Sequence, residues 1–290
     1  MISDITNTWV PSMRRYIDEE ALMKLIQRQG YLDFLRRNRE RPIIKVVSGI
    51  RRCGKSTLFR LFKDELLADN VKPEQIISIN FEELEYEHLR DYHALYQYIL
   101  ERIQPNETNY IFLDEIQHVD QFHRVVDSLF VKENTDLYIT GSNAYFMSSD
   151  IATLLTGRYV EIQMLPLSFS EFYHSKYEGN QYSLIPAYEA YLRESSFPYT
   201  QQLGGEDFDI QEYLRGLYNT LLLHDVVARL KINDVTILQD IVRYIMANIG
   251  SLLSPNKIAN SLVSAGRKID NKTVERYLQG LQDSLLLYKV

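Results

Sequence analysis

The amino-acid sequence predicts an α/β protein, a mostly parallel sheet covered by helices on both faces, followed by a helical region and a small trihelical end. Three observations carry this. Five short apolar runs, at Ile43 to Gly49, Ile76 to Phe81, Tyr110 to Asp114, Leu137 to Thr140 and Tyr159 to Leu165, alternate with helical patterns, as strands buried on both faces do. The first of them runs into a glycine-bounded loop and then a helix. After Pro166 the strand pattern stops and helical periodicity alone remains.

The elements follow in order. Glu19 to Arg39 has a helical pattern interrupted at Gly30, and Pro42 ends it. Behind the first strand, Leu58, Leu61, Phe62, Leu66 and Leu67 mark one face of a helix. Ser168 and Glu171 have the spacing of a capping box, opening a helix that runs to about Lys176. Further helices are expected over Pro186 to Glu194 and Ile210 to Leu230, with Gly204-Gly205 as the break between them. At the end, Thr236 to Ile249, Asn256 to Ala265 behind the Ser254-Pro255 cap, and Asn271 to Asp283 read as three helices, with Leu285 to Val290 as a strand. We expect a helical segment at 1–40, a core at 41–167, a helical lid at 168–234 and a winged-helix-like domain at 235–290, since 290 residues exceed the roughly 100 to 200 of one domain.

Composition narrows the classes of function. With 45% apolar and 24% charged residues the chain has material for a core and no sign of disorder. No apolar run approaches the ~20 residues of a membrane span, and the first residues lack an apolar stretch behind a basic end. Cys53 is the sole cysteine and cannot form an internal disulfide, so a cytoplasmic location is expected. A net charge of −7 argues against a surface that coats nucleic acid. Residues 254–290 nevertheless carry six basic against three acidic side chains, which leaves room for a local basic patch.

Gly49 to Ser56 reads GIRRCGKS. Glycines at both ends of such a loop let successive backbone N–H groups face phosphate oxygens, and the following helix adds its positive N-terminus. Lys55 then reaches the β and γ phosphates and Ser56 offers a hydroxyl to Mg²⁺, so Gly49, Ile50, Arg51, Arg52, Cys53, Gly54, Lys55, Ser56 and Thr57 form the expected ATP cradle of a P-loop nucleoside triphosphatase. Within it, surface pairing with acids is the plainer account of Arg51 and Arg52, and Cys53 is a small filler that nucleotide could shield. Asp114 and Glu115 end an apolar strand; Asp114 is placed to hold Mg²⁺ and Glu115 to orient and polarise the attacking water. Asn143, with Ser142 second, is expected near the γ-phosphate, with a plain turn as the alternative. Arg158 reads either as an arginine finger, in cis or across a subunit boundary, or as a solvated side chain. In the trihelical end, Lys272, Thr273 and Arg276 suit a recognition helix and Lys257, Arg267 and Lys268 suit phosphate contacts with duplex DNA; a protein-binding or interdomain module is the equal alternative. The six histidines show no metal-binding spacing, and no GxSxG element is present.

GIRRCGKSTLF, YIFLDEIQ, YITGSN, TGRYVEIQMLPLSFSEF and TVERYLQGLQDSLLLYKV together resemble the bacterial and archaeal AAA-type ATPases that join a P-loop core to a winged helix and a C-terminal nuclease-like domain. The resemblance implies an additional-strand sheet ordered 5-1-4-3-2, with Lys55, Ser56, Asp114 and Glu115 on the family's nucleotide, magnesium and paired-acid positions and Arg158 on the arginine of its GR element. Two departures stand out. Ser195-Ser196-Phe197-Pro198 replaces a GG pair before proline, and the chain stops at Val290 where relatives continue, as a truncated or shortened member would. The expected activity is Mg²⁺-dependent ATP hydrolysis that moves the helical and winged-helix parts, in a protein able to form homo-oligomers. The alternative is a nucleotide-gated DNA- or protein-binding switch with negligible turnover. No segment reads as an acceptor pocket for phosphorylating a small substrate.

Overall fold

The computed structural model describes residues 26–142, 155, 157–177, 182–203, 207–221, 226–227, 230–232 and 234–288. Its strands β1 (Ile44–Gly49), β2 (Ile76–Asn80), β3 (Asn109–Asp114), β4 (Thr135–Ser142) and β5 (Tyr159–Met164) form one sheet of order β2-β3-β4-β1-β5. Every pairing is parallel. Read from the other edge this is 5-1-4-3-2, the order the resemblance implied.

Helices α1 (Gln29–Asn38), α2 (Lys55–Ala68), α3 (Tyr92–Leu100) and α4 (Phe122–Phe130) cover the two faces. Neighbouring residues on a strand point to opposite faces, which explains why β1 and β3 read as unbroken apolar runs. Val46, Ile111 and Ile139 pack with Leu95, Ile99 and Val126 on one side. Val47, Phe112 and Tyr138 pack with Leu35, Phe59 and Phe62 on the other. There Phe112 stacks on Tyr138 with ring centroids 4.7 Å apart, and Phe59 meets Phe112 edge-on at 5.1 Å. Gly30 sits in the first turn of α1, behind non-helical residues 26–28, and residues 19–25 lie outside the described residues.

Beyond β5 come α5 (Phe169–Tyr177), α6 (Leu184–Glu194), α7 (Asp207–Thr220), α8 (Val235–Met246), α9 (Pro255–Ser264) and α10 (Asn271–Asp283). Their starts are chemically specified. The Ser168 hydroxyl accepts from Glu171 N at 3.2 Å while the Glu171 carboxylate accepts from Ser168 N at 2.8 Å, the reciprocal capping box. Ser254 accepts from Lys257 N ahead of Pro255, and Asp270 accepts from Thr273 N. The regular α7 helix ends at Thr220, Leu221, Val226 and Val227 continue in π-helical conformation and Leu230 is again α-helical, while residues 222–225 and 228–229 and the Gly204-Gly205 break fall outside the described residues.

One expectation is overturned. Leu285 to Tyr288 do not form a strand. Leu285 takes φ 59°, and the amides of Leu286 and Leu287 return to the Leu281 carbonyl at 3.0 and 3.1 Å, closing α10 instead of offering a ladder. Apolar side chains drive the turn: Leu285 enters the cluster beneath α2, whereas Leu287 packs with the three-helix core of Leu238, Ile258 and Val274. The trihelical end therefore has its three helices, and among the described residues no wing strand. As Phe112 joins α2 to the sheet centre, Phe112→Ala is expected to cost about 3 to 5 kcal/mol in urea unfolding; a cost below about 1 kcal/mol contradicts this packing.

Candidate active site

The carboxyl ends of β1, β3 and β4 share one edge of the sheet, and a cavity of about 730 Å³ opens beside it. At Gly49 a side chain is excluded, because a Cβ there would lie 2.3 Å from the Met164 carbonyl oxygen of β5. The chain then turns through Arg52 (φ 65°) and Gly54 (φ 106°), and Gly54 opens α2 with no side-chain cap. The first-turn amides of α2 and its positive end are thus left to the cavity that Gly54, Lys55, Ser56 and Thr57 line. Cys53 is fully buried beneath Gly49, and burial pushes its thiol pKa up, so it is an inert filler.

Lys55 is only 4% exposed. Its ammonium donates to the Gly49 carbonyl at 3.1 Å and pairs with Glu115 Oε1 at 3.1 Å. Burial works against this charge, but the Glu115 carboxylate outweighs it and the lysine pKa is raised. Asp114 accepts from the Thr140 hydroxyl and from Ser56, and burial pushes its carboxyl pKa up. The chain departs from β3 at Glu115 in a left-handed conformation, φ 55° and ψ 47°, with its amide donating to the same Thr140 oxygen at 2.9 Å. That turn swings the carboxylate across the tip of β4. Oε2 accepts from Ser142 N at 3.0 Å, Ser142 Oγ at 2.7 Å and Gln117 Nε2 at 2.5 Å. Burial opposes ionisation, yet the nearby Lys55 charge and these bonds bring the Glu115 pKa down to about 2.

The structure therefore brings together Lys55, Ser56, Asp114, Glu115 and Ser142. Asn143, the first choice beside the γ-phosphate, lies outside the described residues. Arg51 pairs with Glu82 at 3.4 Å, matching the plain surface reading. Arg158 is elsewhere: it precedes β5 at the amino edge of the sheet, its carbonyl accepts from Ile44 N, and its guanidinium lies over the Phe130 ring. Six strand residues at about 3.3 Å each lie between it and the end of the sheet that carries the loop.

Three residues were missed. Thr140 and Gln117 are ordinary polar side chains whose roles follow only from strand pairing and the turn at Glu115. Arg28, 4% exposed, donates to the carbonyls of Leu165 at 2.6 Å and Cys53 at 3.3 Å and binds both Glu171 oxygens, at 2.8 and 3.0 Å. It thereby ties the loop to the exit of β5 and to the cap of α5. Opposite the loop, Ile26, Leu167, Pro198, Tyr199, Tyr213 and Leu217 make an apolar wall, with the Tyr199 and Tyr213 rings 5.0 Å apart.

Residues 41–173 match a family described as an AAA domain, and residues 185–290 match a domain of unknown function. An uncharacterized protein of Haemophilus influenzae is 37% identical over 268 residues, covering 91% of this chain and 66% of its own length. An uncharacterized protein of Methanocaldococcus jannaschii is 31% identical over 262 residues, covering 84% of this chain and 56% of its own length. The chain thus spans less than two thirds of either relative. Its fold is similar to that of a Walker-type ATPase of Pyrococcus abyssi, with a TM-score of 0.59 at 18% identity over 89% of each chain.

Two outcomes are expected from this geometry. Arg28→Ala leaves the partly exposed Glu171 carboxylate and two carbonyls without this donor, and is expected to cost about 1 to 3 kcal/mol in chemical denaturation; an unchanged midpoint contradicts the tie. A carboxyl depressed in the folded state stabilises above its unfolded pKa and loses that contribution as pH falls through the folded one. Glu115 therefore contributes stability present above pH 4.5 and lost toward pH 2, and Glu115→Gln is expected to flatten the unfolding curve across that window.

Proposed function

We propose, for a chain whose residues 41–173 carry an AAA-type domain of P-loop NTPase fold, that the cavity binds Mg²⁺ and ATP and hydrolyses the γ-phosphate. The observation that supports it best is the meeting of Lys55, Ser56, Asp114 and Glu115 at the uncapped start of α2. The amides from Gly54 to Thr57 take phosphate oxygens, and the apolar wall takes the base. Ser56 and Asp114 suit a magnesium ion, since both are oxygen donors already hydrogen-bonded together at the start of α2. When bound, the ion supplies positive charge to the β and γ phosphate oxygens.

Glu115 Oε1 pairs with Lys55 at 3.1 Å. An incoming γ-phosphate draws the ammonium away and leaves Oε1 free, while Oε2 stays bonded to Ser142 and Gln117. The water oxygen then bonds to the γ-phosphorus as the bond from that phosphorus to the bridging oxygen breaks; ADP leaves, and the water proton passes to the Glu115 carboxylate. Asn143 beside the γ-phosphate, and Arg158 supplied by a second copy in a homo-oligomer, complete the reading. The α7 residues Tyr213, Gly216, Leu217 and Thr220 line the same cavity, and Leu217 and Leu285 share the core with α2, so nucleotide occupancy is relayed from the core at 41–167 to the lid at 168–234 and the helices at 235–290.

A second reading rests on the exposed basic side chains of α9 and α10: Lys257, Lys272 and Arg276, with Lys268 between the helices, suit phosphates of duplex DNA, although Arg267 is held by Asp240 at 2.6 Å. We place the protein in the cytoplasm, where the lone thiol of Cys53 stays reduced. No helix of the described residues is long and apolar enough to cross a membrane.

Calorimetric titration with a nonhydrolysable ATP analogue is expected to show binding lost in Lys55→Ala. Glu115→Gln is expected to retain binding and lose turnover by about 10²- to 10⁴-fold; undiminished phosphate release from that variant sinks the assignment. Stimulation of wild-type hydrolysis by duplex DNA that fades with salt supports the second reading as a DNA-coupled activity, and binding with no turnover under either condition favours the switch.

A further inference from the structure

Glu115 is followed by a one-turn helix, Ile116–His118. The left-handed turn at Glu115 brings the Gln117 side chain back beside the carboxylate two residues earlier. Its amide nitrogen donates to Glu115 Oε2 at 2.5 Å and lies 3.4 Å from Ser142 Oγ. The other end of the same amide, Oε1, is buried and meets no hydrogen-bond partner among the described residues. Leaving a buried acceptor unpaired is costly, and a glutamine placed for stability would satisfy both ends. Here the nitrogen end is committed to the Glu115 carboxylate and lies beside Ser142.

The contacts on Glu115 also differ in what happens once nucleotide arrives. Lys55 leaves for the γ-phosphate. The Ser142 amide and hydroxyl sit at the end of β4 and grip Oε2 from one side only. Gln117 is the remaining side chain on that oxygen, approaching from the turn rather than from the sheet.

We propose that Gln117 is a positioning residue for hydrolysis: its amide nitrogen keeps the Glu115 carboxylate aimed into the cavity after Lys55 has moved to the γ-phosphate. The inference rests on the hydrolytic reading of the cavity. A carboxylate that loses this bond is held on Oε2 by Ser142 alone and is less sharply aimed, and the loss falls on the chemical step rather than on nucleotide binding.

The test compares wild type, Gln117→Met, Glu115→Gln and the double variant, because methionine preserves length and removes the donor. Gln117→Met is expected to lower kcat by about 10- to 100-fold with KM and affinity for a nonhydrolysable ATP analogue within about twofold. Its affinity for ADP with aluminium fluoride is expected to fall, and in the Glu115→Gln background the second substitution is expected to add no further loss. Wild-type turnover in Gln117→Met, or a full additional loss in the double variant, overturns the proposal while the hydrolytic reading stands. A wild-type protein that binds the analogue and releases no phosphate overturns both.

Discussion

A lysine and a glutamate, both withdrawn from water, face each other at 3.1 Å where the loop after β1 meets the tip of β3. Desolvating two such charges costs nearly as much as their attraction returns, so the pair persists only because each partner is further hydrogen-bonded. Lys55 has the Gly49 carbonyl, and Glu115 has Ser142 and Gln117. Remove any of these and the remaining charge is poorly compensated. The pair is therefore poised: a stronger anion at Lys55 can replace the carboxylate, and the carboxylate is then left beside the replaced group with its other oxygen still held.

Sheet order makes the pair possible. Because β4 lies between β1 and β3, its tip supplies the groups that mediate between the two acids and the loop. Thr140 accepts from the Glu115 amide and donates to Asp114, and Ser142 binds the Glu115 carboxylate. The loop itself is held from behind by Arg28, which reaches the Cys53 carbonyl and Glu171 together. Since Glu171 also caps α5, the conformation of the loop and the start of the helical region are mechanically linked. On the far side, Leu285 carries the end of α10 into the core under α2, giving the trihelical end its own attachment to the same helix.

What the sequence made legible was local. Strand runs, the GIRRCGKS loop, the paired acids and the caps at Ser168 and Ser254 each lie within a few residues, where periodicity and turn chemistry operate. Features that depend on distant residues were not visible. Arg28 and Glu171 stand 143 positions apart, and Glu171 had already been explained as a cap. Thr140 became important only through the register of β4 beside β3. The apolar Leu285 to Leu287 run has strand composition, but two different cores claim its side chains and a helix terminus claims its amides. Arg158 was assigned by its place in a motif, and only topology shows that it sits at the opposite edge from its own loop.

If the cavity takes ATP as proposed, the carboxylate of Glu115 and the γ-phosphate compete for Lys55. Comparing the affinities of wild type and Glu115→Gln for ADP and for a nonhydrolysable ATP analogue, at one magnesium concentration, tests it most directly. With Lys55 freed of its carboxylate partner, the substitution is expected to tighten the triphosphate analogue selectively and leave ADP little changed. Equal tightening of both, or a weakened triphosphate, would contradict it.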